Sequence, residues 1–162
     1  MNYRDIFLAP LILLLLLSNQ IIANDQCSKS SLPEGITKIK IEHEDSLREY
    51  RVFIPKDHSN FLPLPVVLNY HGTGSNADQQ AAYSDLDRIA EERKFIHVNP
   101  QGKNLDGRKV FNAGLTMKSP TNKRDFSKEP RDDVSFTREV IKDLETKICI
   151  DSSKIYATGM SN

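Results

Sequence analysis

Two short segments of the chain carry residue types that could perform nucleophilic chemistry. The first, residues 159–162, reads Gly-Met-Ser-Asn and directly follows the apolar run 155–158. A Gly-x-Ser that follows a buried strand is typical of a tight turn from which a serine Oγ projects as a nucleophile. Gly159 suits such a turn, because the position two residues before the serine has little room for a side chain. Ser161 is therefore the candidate nucleophile.

The second segment, residues 71–74, reads His-Gly-Thr-Gly and follows the apolar run 65–70. Layered α/β sheets present their reactive groups at the carboxyl ends of the strands, so we expect this segment and Ser161 to lie close together. His71 could be a general base. At the end of a central strand an imidazole more often fixes a turn by hydrogen bonds, and we interpret His71 in that way. Asp133 is likewise interpreted as a helix cap rather than a catalytic acid.

The elements that must position these segments alternate between strand and helix. Alternating apolar and polar residues in 36–42 and 50–54 predict an antiparallel hairpin. Short apolar runs predict further strands at 65–70, 95–100 and 155–158. This order predicts an α/β fold with a mostly parallel sheet and helices on both faces.

Two helices are predicted between these strands. The first begins after Ser75 or Asn76, and the second after Asp132 or Asp133, since such residues cap helix N-termini. The predicted apolar stripe of the first helix comprises Ala82, Leu86, Ile89 and Ala90, and that of the second comprises Val134, Thr137, Ile141, Leu144 and Ile148. The polar stretch 101–130 is predicted to be a long loop. His43 is interpreted as a solvated turn residue, and His97 as a hydrogen-bonded strand residue.

The first 23 residues predict a secretory signal. Arg4 precedes the almost wholly apolar run 6–17, which is shorter than the roughly 20 residues of a membrane span, and Ala23 offers a cleavage site. An uncleaved anchor is the alternative. We expect a secreted, extracellular protein without a stable membrane anchor, whose residues 24–162 form one unit.

Composition narrows the choice of partners and cofactors. Lys plus Arg and Asp plus Glu number 22 each, so no basic surplus points to nucleic acid. No CxxC or HExxH spacing occurs, and we predict neither a metal nor another cofactor. Cys27 and Cys149 are the two cysteines, and in an oxidising compartment they are expected to form a disulfide; two unrelated thiols are the alternative. No obligate protein partner is evident.

Taken together, these residues resemble the secreted esterase family that includes polyhydroxybutyrate depolymerases and feruloyl esterases, within the α/β-hydrolase fold. The most specific match is residues 149–162, which follow the family pattern Cys-Val-Asp-x-x-Arg-Val-Tyr-Ala-Thr-Gly-x-Ser-Asn almost position by position. Further matches are residues 27–29, 50–55, 66–74 and 132–136. Phe111 departs from the pattern, since the family often has tryptophan there and this chain has none.

The resemblance implies carboxylic-ester hydrolysis through an acyl-enzyme formed on Ser161. It also implies that the backbone N–H groups of Thr73 and Asn162 form an oxyanion hole. Gly72 and Gly74 would let the turn that carries Thr73 approach the substrate closely. The first choice of substrate is a feruloyl ester of plant cell-wall polysaccharide such as xylan, and a polyester is the alternative.

In this fold the catalytic Asp and His follow the serine in the chain. The four histidines, His43, His58, His71 and His97, all precede Ser161. We therefore expect the chain to be the N-terminal half of a hydrolase and to be inactive as written. The alternative is a non-catalytic secreted protein built on a truncated hydrolase scaffold.

Overall fold

The computed structural model describes residues 31–58, 62–105, 107–112 and 132–161. Its elements are β1 Gly35–His43, β2 Ser46–Ile54, β3 Leu64–Tyr70, α1 Ala77–Ser84, α2 Leu86–Arg93, β4 Ile96–Pro100, β5 Lys103–Leu105, β6 Arg108–Val110, α3 Asp133–Lys147 and β7 Ile150–Gly159. The predicted signal segment and Cys27 lie outside the described residues, so the signal and the disulfide with Cys149 stay predictions. In the described ranges, no helix is long and apolar enough to cross a membrane.

The main sheet has the strand order β1-β2-β4-β3-β7. Strand β2 pairs antiparallel with both β1 and β4, whereas β3 pairs parallel with both β4 and β7. Helices α1 and α2 connect β3 to β4, and α3 precedes β7. The predicted α/β fold, with parallel pairing in its second half, is confirmed.

One face of the sheet packs against α3 and forms the apolar core. Tyr50, Val66 and Val98 project from three strands onto this face and form one buried cluster with Phe136, Val140 and Leu144 of the helix. The buried stripe of α3 is Asp133, Phe136, Val140 and Leu144. The predicted stripe was wrong at Val134, whose side chain is 54% exposed. The buried stripe lies one residue earlier than predicted as far as Val140, whereas Leu144 and Ile148 are buried as predicted.

The opposite face packs against α1 and α2 and is largely polar. Its buried side chains include Arg51, Asn69, Gln80, His97 and Asn99. The predicted single helix is divided, because Asp85 adopts a left-handed conformation (φ 53°) and its N–H closes α1 on Ala81. The predicted stripe was therefore wrong at Ala82, which is exposed, while Ala81 is buried.

The structure corrects two further predictions about the path of the chain. The stretch 101–130 begins with the antiparallel pair β5 and β6 rather than with an irregular loop, and residues 113–131 lie outside the described part. Strand β7 begins at Ile150, five residues before the predicted start, and its pairing with β3 shifts register between Leu64 and Val66. Cys149 lies between α3 and β7, and its carbonyl accepts a hydrogen bond from the Leu64 N–H at 3.1 Å.

Candidate functional site

Ser161 lies on the turn that follows β7. Its φ of 57° is in the left-handed region, which non-glycine residues rarely adopt. The Met160 N–H donates to the Tyr70 carbonyl at 3.2 Å and holds the turn against the end of β3. A Cβ on Gly159 would lie 2.9 Å from the same carbonyl oxygen. The sequence Gly-Met-Ser therefore forms a sharp turn that only a glycine at its first position permits.

The turns after β3 and β7 lie against each other, as expected. Tyr70 and Gly159 are the last paired residues of these two parallel strands, so both chains leave the sheet at the same edge. A Cβ placed on Gly72 would lie 2.8 Å from the Met160 carbonyl oxygen and 3.2 Å from the Ser161 Cβ. The absence of a side chain at Gly72 thus allows close approach to the candidate nucleophile.

His71 is 1% exposed, and both of its ring nitrogens have partners. Its Nε2 accepts from the Gly102 N–H at 3.0 Å and faces Gln101 Nε2 at 3.0 Å. Since these partners are donors, Nδ1 carries the hydrogen and donates to the Gly72 carbonyl at 2.8 Å. Burial lowers the pKa of His71 and favours this neutral form. Neither nitrogen is left to accept a proton from Ser161.

The turn from Gly72 to Asn76 is tied to its surroundings by backbone hydrogen bonds. The Ser75 N–H donates to the Gly72 carbonyl at 3.1 Å, and the Gly74 N–H donates to the Lys109 carbonyl at 2.9 Å. Gly74 has a φ of 82°, a conformation that favours glycine. Thr73 is exposed, and its N–H has no hydrogen-bond partner among the described residues. Asn162, the other predicted oxyanion donor, lies outside them.

Asp133 is not a helix cap, contrary to the prediction. Asp132 has the non-helical backbone of an N-cap, and its carboxylate accepts from the Ser135 N–H at 2.8 Å. Asp133 is the first helical residue and is 6% exposed. Its carboxylate pairs with Arg48 at 2.7 Å and accepts from the Asn112 N–H at 2.5 Å. It joins α3 to the sheet as a buried ion-pair partner.

The remaining histidines are engaged away from Ser161. His97 pairs with Asp87 at 2.7 Å and with the Asn69 amide at 3.2 Å, which confirms its interpretation as a hydrogen-bonded strand residue. His43 is buried and bonded to the Asp132 carbonyl, so its interpretation as a solvated residue was wrong. In the part of the chain that the structure describes, no histidine forms a hydrogen bond to Ser161.

A polar cluster missed in the sequence supports β3 from the other face. Burial opposes the ionisation of Asp87, but hydrogen bonds from His97 and Arg51 outweigh it and hold the pKa of this carboxyl at about 2. Asn69, two residues before His71 in the chain, accepts from Gln80 at 2.9 Å and donates to Ser84 at 3.0 Å. The alternation of His97 and Asn99 with apolar residues along β4 was the available signal. As for metals, no cluster of three or more potential ligands occurs within the described ranges.

Comparison with known proteins finds no matching family model. The chain is 25% identical over 165 residues to a protein named probable feruloyl esterase C from Aspergillus niger, covering 98% of the chain and 52% of that relative. It is 27% identical over 114 residues to feruloyl esterase B from Piromyces equi, covering 70% of the chain and 19% of that relative. The chain thus spans about half the length, or less, of these curated relatives.

Solved structures agree on the fold. An S-formylglutathione hydrolase from Agrobacterium tumefaciens matches with a TM-score of 0.59 at 17% identity, over 83% of the chain and 52% of that structure. A hyperthermophilic esterase from Pyrobaculum calidifontis matches with a TM-score of 0.51 at 17% identity, over 88% and 39% respectively. The chain is therefore feruloyl-esterase-like in sequence and holds part of an α/β-hydrolase fold.

Proposed function

We propose that the chain is the nucleophile-bearing part of a secreted carboxylic-ester hydrolase of the feruloyl-esterase type, with Ser161 as its nucleophile. The observation that carries this proposal is the left-handed turn at Ser161, packed against Gly72 where two parallel strands end. A left-handed non-glycine residue costs free energy, and such conformations are concentrated at functional sites. The similarity to proteins named feruloyl esterases supports the same chemistry.

In the proposed reaction, Ser161 Oγ attacks the ester carbonyl carbon and gives its proton to a histidine. The tetrahedral intermediate collapses, the alcohol leaves with that proton, and water then cleaves the acyl-serine. The N–H groups of Thr73 and Asn162 would donate to the oxyanion, and the Thr73 N–H is unoccupied by described partners. The histidine would come from a part of the whole protein beyond these residues, because the four histidines of the chain are hydrogen-bonded elsewhere.

The proposed substrate is a phenolic ester on plant cell-wall polysaccharide such as xylan. The names of the two curated relatives support this choice over a polyester. An enzyme of this kind acts outside the cell, which agrees with the predicted secretory signal. Comparing turnover of methyl ferulate, feruloylated xylan fragments and polyhydroxybutyrate would separate the two substrate classes.

The proposal is tested on the protein produced from its complete reading frame. Ser161→Ala should lower kcat for methyl ferulate by at least about 1000-fold, because the acyl-enzyme can no longer form. Ser152→Ala is the matched control, since Ser152 is an exposed serine of β7, the strand that precedes the Ser161 turn, and its Oγ donates to Glu145. Retention of turnover in Ser161→Ala, with the control unchanged, would contradict the proposal.

A further inference from the structure

We infer that Gln101 is a positioning residue of the proposed site, because its side chain holds both ends of the turn that carries Thr73. This inference rests on the proposed function. The turn runs from His71, which follows β3, to Ala77, which begins α1. Gln101 follows β4, the neighbouring strand, and so reaches this turn from the side.

The two ends of the Gln101 amide bind the two ends of the turn. Its Oε1 accepts from the Ala77 N–H at 3.1 Å, and its Nε2 lies 3.0 Å from His71 Nε2. The amide orientation is fixed by its partners, since Ala77 offers a donor and the imidazole nitrogen accepts. Turning the amide over would set two donors against each other at Ala77 and two acceptors at His71. One side chain thus sets the span of the turn.

The Gln101 backbone is itself held to the sheet. Its N–H donates to the Glu49 carbonyl at 2.9 Å, and its carbonyl accepts from Arg48 at 3.2 Å. Arg48 is buried, pairs with Asp133 and lies 3.8 Å over the Phe136 ring. A continuous set of buried and half-buried polar contacts therefore runs from α3, through β2, to the turn beside Ser161. Such a satisfied network rigidifies the groups that it joins.

Gln101 also helps to fix which ring nitrogen of His71 carries the hydrogen. Together with the Gly102 N–H it supplies donors to His71 Nε2, and this leaves the hydrogen on Nδ1 to bind the Gly72 carbonyl. Gly72 lies against Ser161. The groups that face the ring are the Phe111 side chain, at 4.8 Å between centroids, and the Lys109 charge, which disfavours a cationic His71. A carboxylate in place of the amide would accept from Nε2 and so demand a second ring hydrogen.

The test uses the complete enzyme and measures kcat and KM separately. Gln101→Ala should lower kcat by about 10- to 100-fold with KM within about twofold, because a displaced oxyanion donor affects the transition state most. Gln101→Glu keeps the acceptor for Ala77 and the side-chain shape. Its carboxylate would favour a His71 that is protonated on both nitrogens. We therefore expect a pH dependence that the wild type lacks: kcat should fall as rising pH removes the Nε2 proton, because the imidazole nitrogen and the carboxylate are then two facing acceptors. Asn104→Ala, which removes an exposed side-chain amide on β5, is the control.

Three results would overturn the inference. One is wild-type kcat in Gln101→Ala. Another is a Gln101→Glu variant that folds and shows the wild-type pH profile of kcat. A loss in Gln101→Ala that only tracks the fraction of folded enzyme, measured by circular dichroism, would also count against it. Failure of the proposed function is distinguishable, because Ser161→Ala would then retain turnover whatever Gln101 does.

Discussion

Replacing Gly72 by alanine tests the contact between the two turns directly. The new Cβ would lie 2.8 Å from the Met160 carbonyl oxygen, whereas ordinary contact begins at 3.4 Å. The turns must therefore separate by about 0.6 Å, because the opposing atom belongs to the backbone and cannot rotate away. Overpacking of this kind costs about 1–3 kcal/mol of stability. A displacement approaching 1 Å near the reacting groups can cost about 100-fold in rate.

We expect Gly72→Ala in the complete enzyme to lower kcat/KM for methyl ferulate by about 30- to 100-fold. Urea denaturation should show a loss of about 1–3 kcal/mol in the free energy of unfolding. Gly74→Ala and Gly35→Ala are informative controls, since both positions have positive φ and no atom within 4 Å of the new Cβ. Each should lose about 1 kcal/mol through the backbone alone, and Gly35→Ala should keep its activity. Near wild-type activity and stability in Gly72→Ala would refute the contact between the turns.

Three further predictions concern the framework. Asp133→Ala should lower the free energy of unfolding in urea by about 3–5 kcal/mol, because it leaves Arg48 buried without its counter-charge; a loss below 1 kcal/mol would contradict this. Because the pKa of Asp87 is depressed in the folded state, its ionised carboxylate stabilises the fold above about pH 4. This contribution is about 1–2 kcal/mol after allowance for the partial exposure of Asp87, and it should be lost as pH falls toward 2. Asp87→Asn should flatten that acid limb in denaturation experiments, and an unchanged limb would exclude Asp87 as its source. The 162-residue chain alone should show no turnover of p-nitrophenyl acetate above a Ser161→Ala control, because no described histidine reaches Ser161.

The parts of the structure that depend on local sequence could be predicted. The hairpin, the strand after residue 64, the cap at Asn76 and the turns that follow β3 and β7 all arise from short patterns of apolar residues, glycine and capping side chains. The edge where these turns meet follows from parallel pairing alone. For this reason the proximity of Gly72 and Ser161 could be predicted from the sequence.

The contacts that support this neighbourhood could not be predicted. Gln101 and His71 are 30 residues apart, and Arg48 and Asp133 are 85 apart, so no local pattern links them. The first turn of α3 was misjudged because a buried acid is indistinguishable in sequence from an exposed one until its arginine partner is known. The break at Asp85 was missed because apolar periodicity continues across it. Tertiary hydrogen bonding decided each case.

The two arginines of β2 also bear on how the sheet selects its pairing. Arg48 points to α3 and pairs with Asp133, while Arg51 points to the other face and pairs with Asp87. Tyr50 shares the α3 face and donates to Asp143 at 2.5 Å. A slip of one residue in the register of β2 would turn Arg48 and Tyr50 away from α3. Asp133 and Asp143 would then lose these partners. Unpaired buried charges are strongly unfavourable, so the charged side chains of β2 favour its native register. A misaligned folding intermediate should be destabilised on both faces of the sheet, because Arg48 and Arg51 would both lose their partners.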